Sequence, residues 1–436
     1  MSRKYLALIA ALPLMACGLD GAENGDTDTE VAETDTSNDF GYETYGDDNY
    51  ADTMASNDEA YTSIQREGVD STDMEGADTP DTIPDSEERP IMQAQVVLDR
   101  QGWGPGVIDG KMGMSTENAL RGFQEANDLE ITGEMDKATE EALSEWSRIP
   151  ATRVVTIPAS WGDLEFFDIP DDAEAKSEME RLGYKSLDEK LAERFHTTVE
   201  VLKELNPNGR PAGATDRAMR GSATQSASAS STPTPSSSAT RNSTPTPTAS
   251  RPASNGQTES VFRAGQQIRV PNIGADRISP DSIEDRGWQQ TLASLGVGSD
   301  QPEVDRIVVS KAGKTLKAYN GDELVALFTV SSGSSQFPLP LGEWDIVGEA
   351  FNPPYSYDPE VLGQGDGEAY QLPPGPNGPV GVVWIDLSKE HYGIHGTPDP
   401  ETIGRAQSSG CVRLTNWDAA RLAGMVNTDT QVIFEA

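Results

Sequence analysis

The segment Ser408-Ser409-Gly410-Cys411-Val412-Arg413 contains one of only two cysteines in a chain of 436 residues. The other cysteine, Cys17, closes an N-terminal export signal, so Cys411 has no disulfide partner within the mature chain. Because an exported chain enters a compartment that oxidises thiols, a lone cysteine there indicates a use for its thiol. We therefore interpret Cys411 as a catalytic nucleophile.

A catalytic thiol needs a base, because it attacks poorly until it loses its proton. The chain has three histidines, His196, His391 and His395. His395 lies in Tyr392-Gly393-Ile394-His395-Gly396-Thr397-Pro398, where the glycines permit close backbone approach. We predict that His395 is the general base and that the Gly396 carbonyl orients its ring. His391 remains the alternative base, whereas His196 is predicted to be a surface or packing residue.

Four further residues complete the predicted site. Gly410 lets the turn before Cys411 adopt unusual dihedral angles and expose N–H groups, which could form an oxyanion hole. Arg413 either holds a substrate carboxylate through two hydrogen bonds or braces the loop. Ser408 and Thr397 are expected to contact the substrate. This chemistry requires no metal and no cofactor.

The N-terminus predicts export. A basic start, Met1-Ser2-Arg3-Lys4, precedes a short apolar core, which is typical of a signal peptide. The segment Leu14-Met15-Ala16-Cys17-Gly18 resembles the bacterial lipobox, which implies that 1–17 is a lipoprotein signal and that Cys17 is lipidated. An ordinary signal peptidase cut nearby is the alternative. We expect a lipid-anchored protein facing the periplasm of a Gram-negative cell envelope.

The chain is strongly acidic, with 33 basic and 72 acidic side chains and a net charge of −39. Much of the excess lies in 18–89, where few apolar residues accompany the Asp, Glu, Thr and Ser. Such a composition predicts a disordered tether extended by self-repulsion, which would hold the folded domains away from the membrane. The sign of the charge excludes nucleic acid as a natural partner.

Residues 90–148 are predicted to form a small all-α domain. Apolar residues recur at helical spacing around turns in Val107-Ile108-Asp109-Gly110-Lys111-Met112-Gly113. Together with Phe123-Gln124 and Thr132-Gly133, this run resembles the peptidoglycan-binding-domain pattern, which implies peptidoglycan as a partner. Asp109 either contacts a sugar or, as favoured here, stabilises its own turn.

Residues 151–274 are predicted to form an α+β region. Two helices, Leu187 to Phe195 and Thr198 to Leu205, precede an apolar strand near 262–271, and this order resembles a LysM glycan-binding module. Ser186-Leu187-Asp188-Glu189 replaces the opening usual in LysM, so we favour a structural role over glycan binding. A Ser/Thr/Pro-rich insert, 210–260, is predicted to be disordered.

Residues 304–436 are predicted to form a mainly β domain, so that the chain as a whole is multidomain. Arg306 to Ser310 and Thr315 to Tyr319 indicate a hairpin, and one helix is expected from Trp417 to Val426. Further strands are predicted at 324–330, 342–347, 381–387 and 431–434. Helix caps are expected at Thr116, Asp136 and Asn416.

The His395 and Cys411 segments together resemble the YkuD-type L,D-transpeptidase family of bacterial cell-wall enzymes. One departure is Ser409, where many members have histidine. The resemblance implies that Cys411 attacks the bond between an L-centred and a D-centred residue of a peptidoglycan stem and forms a thioester. An amine of a second stem then resolves it to a 3→3 cross-link. Acylation by carbapenems is also implied.

Three alternatives stay open. A hydrolase of the same fold, an L,D-carboxypeptidase or amidase-type enzyme, would transfer the acyl group from the thioester to water. A non-catalytic lipoprotein would only bind murein, and in that case Cys411 would be inert. An unrelated cysteine protease is disfavoured because the upstream domain resembles a murein-binding one.

Overall fold

The computed structural model describes residues 83–214, 260–274, 277–279, 283–360, 362, 366–406, 408 and 410–436. The predicted signal peptide with Cys17, nearly all of the tether and most of the 210–260 insert lie outside these residues. The described residues belong to one compact unit. None of the helices within these ranges has both the length and the apolarity needed to cross a membrane.

The helices and strands alternate irregularly along the chain. The helices are α1 (Pro90–Arg100), α2 (Met114–Ala126), α3 (Lys137–Leu143), α4 (Ala173–Ser177), α5 (Leu187–Arg194), α6 (Val199–Leu205), α7 (Arg286–Leu295) and α8 (Asn416–Ala423). The strands are β1 (Trp103–Gly104), β2 (Thr152–Thr156), β3 (Gln267–Pro271), β4 (Arg306–Ser310), β5 (Thr315–Asn320), β6 (Glu323–Thr329), β7 (Gly342–Phe351), β8 (Tyr355–Tyr357), β9 (Tyr370–Leu372), β10 (Val383–Leu387), β11 (Gly393–His395), β12 (Val412–Arg413) and β13 (Gln431–Glu435).

A nine-stranded sheet organises the C-terminal region, in the order β1-β6-β5-β4-β13-β7-β10-β11-β12. The predicted hairpin is confirmed, since β4 and β5 pair antiparallel with Ser310 opposite Thr315. Apolar side chains alternate along these strands, so that Ile307 and Val309 are buried on the same face. That face packs with α7 and α8 into one core, in which Trp417 is fully buried. The region is therefore mainly β, as expected.

The sheet is mixed, because three of its neighbouring pairs are parallel: β1 with β6, β4 with β13, and β11 with β12. A parallel pair cannot be closed by a tight turn and needs a longer connection. The connection from β11 to β12 is the segment that ends at Cys411. Because β11 and β12 pair, the loop that ends at Cys411 lies next to the strand that ends in His395.

The region around α1, α2 and α3 is helical, but the prediction that it is wholly α is wrong. Trp103–Gly104 pairs parallel with β6 and forms the edge of the nine-stranded sheet. Two glycines make this approach feasible. A Cβ on Gly104 would lie 2.8 Å from the Phe328 ring, and one on Gly122 would lie 2.8 Å from Trp103. The edge strand therefore joins the helical region directly to the sheet.

The 151–274 region has the expected α+β composition. β2 and β3 pair antiparallel, with Thr152 opposite Pro271, and α4, α5 and α6 lie between them in sequence. Leu191 and Leu202 share a core with Leu98 of α1 and Leu327 of β6. All three parts of the chain therefore contribute to one apolar core. The LysM assignment itself stays a prediction.

Two of the three predicted helix caps need correction. Asp136 caps α3 as predicted, since its side chain accepts a hydrogen bond from Thr139 N. α8 begins one residue earlier than expected, so Thr415 is the cap and Asn416 is already helical. Thr116 lies inside α2, buried, and its hydroxyl accepts a hydrogen bond from Gln95 Nε2. Thr116 therefore uses its hydroxyl to bind Gln95 of α1 and does not cap α2.

Candidate active site

Strand pairing brings the predicted nucleophile and base together. β11 and β12 run parallel, with Ile394 opposite Val412 and His395 opposite Arg413. Cys411 immediately precedes β12, so the loop that carries it ends beside the strand that carries His395. Leu414 N donates to His395 O at 2.9 Å, which extends the pairing beyond the two strands. The sheet edge therefore holds both segments of the site.

The His395 ring is fixed from two sides. Its Nδ1 lies 2.7 Å from the Gly396 carbonyl oxygen, and Trp384 stacks on the ring with centroids 5.5 Å apart. Because a carbonyl oxygen only accepts, Nδ1 carries the proton and Nε2 is left with a lone pair. The pKa of His395 is lowered to about 4, chiefly by burial and also by the nearby Arg413 charge, while the Gly396 hydrogen bond opposes the shift. At neutral pH the ring is neutral and can accept a proton.

Cys411 is a free thiol that keeps part of its surface accessible. Its Sγ lies 3.7 Å from the His391 carbonyl oxygen, to which it donates a weak hydrogen bond. Desolvation raises the pKa of the Cys411 thiol, against the lowering effects of a Gly393 backbone hydrogen bond and the Arg413 charge. At neutral pH the thiol is therefore protonated and needs a base before it attacks.

Arg413 connects the parts of the site electrostatically. Its backbone N–H donates to Ser331 O at 2.8 Å, and its carbonyl accepts from Ser331 N at 3.0 Å. The half-buried guanidinium interacts with the Asp399 carboxylate and would stabilise a thiolate at Cys411. Its interaction with Asp399 supports the loop-bracing alternative, and its proximity to Cys411 is compatible with holding a substrate carboxylate.

Gly410 has the unusual conformation that the sequence predicts. Its φ is +111°, and a Cβ there would lie 2.6 Å from the Tyr392 ring. A side chain at this position would therefore be excluded by both backbone strain and collision. The oxyanion hole expected at this turn stays a prediction.

Ser408 and Thr397 use their hydroxyls within the loops. The Ser408 hydroxyl donates to the Cys411 carbonyl oxygen in a short hydrogen bond. Thr397 is buried, and its Oγ1 accepts from Asp399 N at 3.3 Å. Both residues thus shape the loops around Cys411 and His395. Their contact with substrate stays a prediction.

The other two histidines occupy different environments. His391 lies in the turn before β11, with φ +66° and about half of its side chain exposed. His196 is fully buried, stacks on Trp417 with ring centroids 4.9 Å apart, and lies 3.2 Å from Asp99. Of the two roles predicted for His196, packing is confirmed and a surface position is wrong. His391 contributes its carbonyl oxygen to the site through Cys411.

The structure adds residues that sequence reasoning missed. Trp384 and Asp386 lie on one face of β10, and the Trp384 indole donates to Asp386 at 3.2 Å. The alternation of buried Val383, Ile385 and Leu387 is the sequence signal that could have identified this opposite face. Burial and the neighbouring Cys411 raise the pKa of Tyr355 to about 12, which places this phenol near the thiol. No local pattern marks Tyr355.

Comparisons with known proteins identify the family of the catalytic region. Residues 304–434 match the family model of the L,D-transpeptidase catalytic domain, and residues 88–143 match that of a peptidoglycan binding domain. A Bacillus licheniformis protein named as a candidate L,D-transpeptidase, YkuD, is 33% identical over 180 residues, which are 41% of this chain and 81% of the relative. The Bacillus subtilis protein of that name is 33% identical over 126 residues, 29% of this chain and 63% of the relative. The chain belongs to the YkuD-type L,D-transpeptidase family.

A solved structure also aligns with part of the chain. The L,D-transpeptidase from Mycobacterium smegmatis is 24% identical, with a TM-score of 0.26, over 31% of this chain and 59% of that chain. The alignment thus spans less than two thirds of the M. smegmatis chain.

Proposed function

We propose that the protein is a cysteine-dependent L,D-transpeptidase that acts on peptidoglycan stem peptides. The observation that carries the proposal is the His395 ring, neutral, with Nδ1 hydrogen-bonded to the Gly396 carbonyl and Nε2 left as a base beside the Cys411 loop. A free, partly accessible thiol and a neutral imidazole, carried by two adjoining strand ends, are the two groups that nucleophilic acyl transfer requires. Family membership supports the same reaction class.

The first half of the proposed reaction forms a thioester. His395 Nε2 takes the Cys411 proton as the sulfur attacks the carbonyl carbon between an L-centred and a D-centred residue, in the family the diaminopimelate–D-Ala bond. The tetrahedral intermediate collapses, the C–N bond breaks, and His395 returns the proton to the leaving D-Ala amine. Backbone N–H groups of the Gly410 turn would stabilise the oxyanion.

The second half resolves the thioester. A side-chain amine of another stem attacks the thioester carbonyl, loses a proton to His395, and expels the Cys411 thiolate, which recovers that proton. The product is a 3→3 cross-link. Water in place of the amine would make the enzyme an L,D-carboxypeptidase, so access to the thioester decides between transfer and hydrolysis.

The remaining parts of the chain have proposed supporting roles. The 88–143 region, which matches a peptidoglycan binding domain, would bring the enzyme to murein. The 151–274 region would be a LysM-related structural unit. Lipidation at Cys17 would anchor the exported protein to the membrane, and the acidic tether would span the distance to the wall. Mass analysis of the N-terminal peptide would detect diacylglycerol on Cys17, whereas an unmodified later N-terminus would support the signal-peptidase alternative.

The central experiment incubates the protein, from residue 18 onward, with purified tetrapeptide muropeptides and identifies the products by mass. Loss of D-Ala with gain of a cross-linked dimer supports transpeptidation, and loss of D-Ala alone supports hydrolysis. Cys411→Ala should abolish both reactions, and a carbapenem adduct seen in the wild type should be absent from this variant. Turnover that persists in Cys411→Ala would refute the assignment.

A further inference from the structure

The active site has a neighbour that belongs to the middle region of the chain. Glu193, on α5, lies 2.7 Å from Asn416 Nδ2 at the start of α8. The two residues are 223 positions apart in sequence, so tertiary packing alone creates this contact. Asn416 Nδ2 also donates to the Pro376 carbonyl oxygen at 3.2 Å. Two acceptors, the Glu193 side chain and the Pro376 carbonyl, therefore orient the Asn416 amide.

The oxygen of the Asn416 amide faces the backbone that orients the base. A Cβ built on Gly396 would lie 2.2 Å from Asn416 Oδ1, and one on Gly381 would lie 1.9 Å from the same atom. Both positions therefore require glycine, because any side chain there would collide with the Asn416 amide in its observed position. The Gly396 carbonyl in turn accepts the His395 Nδ1 hydrogen bond at 2.7 Å. A continuous path of contacts leads from Glu193 through Asn416 and Gly396 to His395.

The same part of the middle region also holds the second acceptor of Asn416. Leu182 N donates to Pro374 O at 2.9 Å, and Asn377 N donates to Leu182 O at 3.0 Å, so Pro376 lies between two anchored residues. Asn377 Nδ2 adds a hydrogen bond to Gly183 O at 2.8 Å. Both partners of the Asn416 amide are thus held by residues 182–193.

The Glu193 carboxyl group is shielded from solvent, although part of the Glu193 side chain is accessible at the surface. Burial is the largest influence and raises the pKa of Glu193 to about 7, against hydrogen bonds from Tyr184 and Asn416; Glu189 also raises it and Lys190 lowers it. A shielded polar group of this kind is costly to keep unless its hydrogen bonds are satisfied. Here they are satisfied by a tyrosine of its own region and by an asparagine of the catalytic region.

We propose that Glu193 is a positioning residue of the active site, which fixes Asn416 and, through it, the Gly396 carbonyl that orients His395. The inference rests on the proposed role of His395 as the base. It makes the middle region part of the catalytic apparatus, because the Nδ1–H tautomer of His395 depends on where the Gly396 carbonyl stands. Outer partners of a catalytic histidine act in this way by setting its tautomer and orientation.

The test compares two isosteric variants of the full-length protein in detergent. Glu193→Gln keeps an oxygen that accepts from Asn416 Nδ2, and Glu193→Met fills the same space without an acceptor. Each is treated with iodoacetamide at pH 7, and the rate of Cys411 alkylation is followed by mass. We expect Glu193→Met to slow alkylation about 10-fold or more, the scale on which a displaced catalytic group lowers a rate. Glu193→Gln should react at close to the wild-type rate.

A matched control breaks another contact between the upstream regions and the catalytic sheet. Glu125 on α2 pairs with Lys317 on β5 at 2.6 Å and contributes nothing to the path described above. Glu125→Met should alkylate at the wild-type rate. A general loosening of the fold would slow both methionine variants alike, and that result would overturn the positioning role. Equal rates for Glu193→Met and Glu193→Gln would also overturn it.

A second variant covers the case in which Glu193→Met does not fold. Asn416→Asp keeps the shape and the oxygen that faces Gly396 but loses the donor to Glu193, and it should slow alkylation to a similar degree. Wild-type alkylation of this variant would refute the proposal. Alkylation does not require transpeptidation. Failure of the wild type to turn over muropeptides would therefore count against the proposed function, whereas loss of the difference between the variants would count against Glu193.

Discussion

At the level of single residues, burial shifts the pKa values of the two reacting groups in opposite directions. It raises the pKa of the Cys411 thiol and lowers the pKa of His395 to about 4, while the Arg413 charge lowers both. At neutral pH the site therefore holds a thiol and a neutral imidazole rather than a thiolate–imidazolium pair. The proton is expected to transfer as the sulfur attacks, which makes the reaction depend on general-base assistance.

This protonation state predicts the pH profile of acylation. Lowering the pH below about 4 should protonate His395, and the rate of carbapenem acylation should then fall because Nε2 no longer accepts a proton. Above that point the base stays neutral, so the rate should be level through neutral pH. Stopped-flow acylation across this range measures the profile. A midpoint near 6.5, the ordinary value for histidine, would contradict the buried base.

The choice of base can be tested by substitution. General-base assistance is typically worth about 10²–10⁴-fold in rate, so His395→Ala should slow acylation at pH 7 by that order. His391→Ala should change the rate little, because the site uses the carbonyl of this residue and its side chain is about half exposed. Circular dichroism checks the folding of both variants. A crippled His391→Ala with a normal His395→Ala would reverse the assignment.

At the scale of elements, the junction of β11 with α8 depends on a glycine. The Asn416 side chain lies against Gly396, and a methyl group at that position would meet Oδ1 at 2.2 Å. Since α8 is anchored by the Thr415 cap and by the fully buried Trp417, the helix cannot simply move away. The first turn of α8 and the end of β11 are therefore fitted to each other.

Gly396→Ala should consequently disturb both stability and rate. Overpacking of this kind typically costs about 1–3 kcal/mol, and displacement of the Gly396 carbonyl should also slow Cys411 acylation. Gly348→Ala on β7 is the matched control, since a Cβ there meets nothing within 4 Å. Urea unfolding and acylation of the two variants make the comparison. Equal stability of both would show that α8 adapts without cost.

At the scale of the whole molecule, a buried ionic cluster joins all three regions. Asp99 on α1 binds Arg421 on α8 through two hydrogen bonds of 2.9 and 2.8 Å and also contacts His196 of the middle region. The Arg421 and His196 charges hold the pKa of Asp99 well below its usual range, despite burial that would raise it. Asp99 thus connects the peptidoglycan-binding region to the catalytic region. Deleting the peptidoglycan-binding region would remove both β1 and Asp99.

Asp99→Asn should destabilise the whole unit by about 3–5 kcal/mol at pH 7, because buried Arg421 loses the carboxylate that it binds through two hydrogen bonds and keeps only Asp418, 3.8 Å away. The folded pKa of Asp99 is depressed, so its contribution is present above its ordinary value of 3.8 and is lost as the pH falls further. The difference between wild type and variant should therefore shrink in acid. Glu125→Gln, at the partly exposed pair with Lys317, should cost under about 1 kcal/mol. Denaturant unfolding at pH 7 and pH 3 tests both; a constant difference would contradict the sign.

The roles proposed for Cys411 and His395 and most strands of the catalytic sheet follow from the sequence, whereas β11 and β12, which hold the two site segments, were not predicted. Cys411, His395 and the glycines beside them lie in short local runs, and the hairpin of β4 and β5 follows from alternation of apolar residues. Such signals depend only on neighbouring residues, whose spacing fixes which side chains share a face. The same locality explains why Asp136 was a correct cap, since its partner is three residues away.

The way in which the regions are joined depends on contacts between residues remote in sequence. Asp99 and Arg421 are 322 residues apart, and Trp103–Gly104 becomes a strand only because β6 offers it an edge. Glu193 likewise acquires a role only where Asn416 meets it. These contacts carry no periodic signature, because each depends on how separate apolar faces pack into a shared core. Packing fixes the distance between residues remote in sequence, and the local pattern around either residue holds no information about that distance.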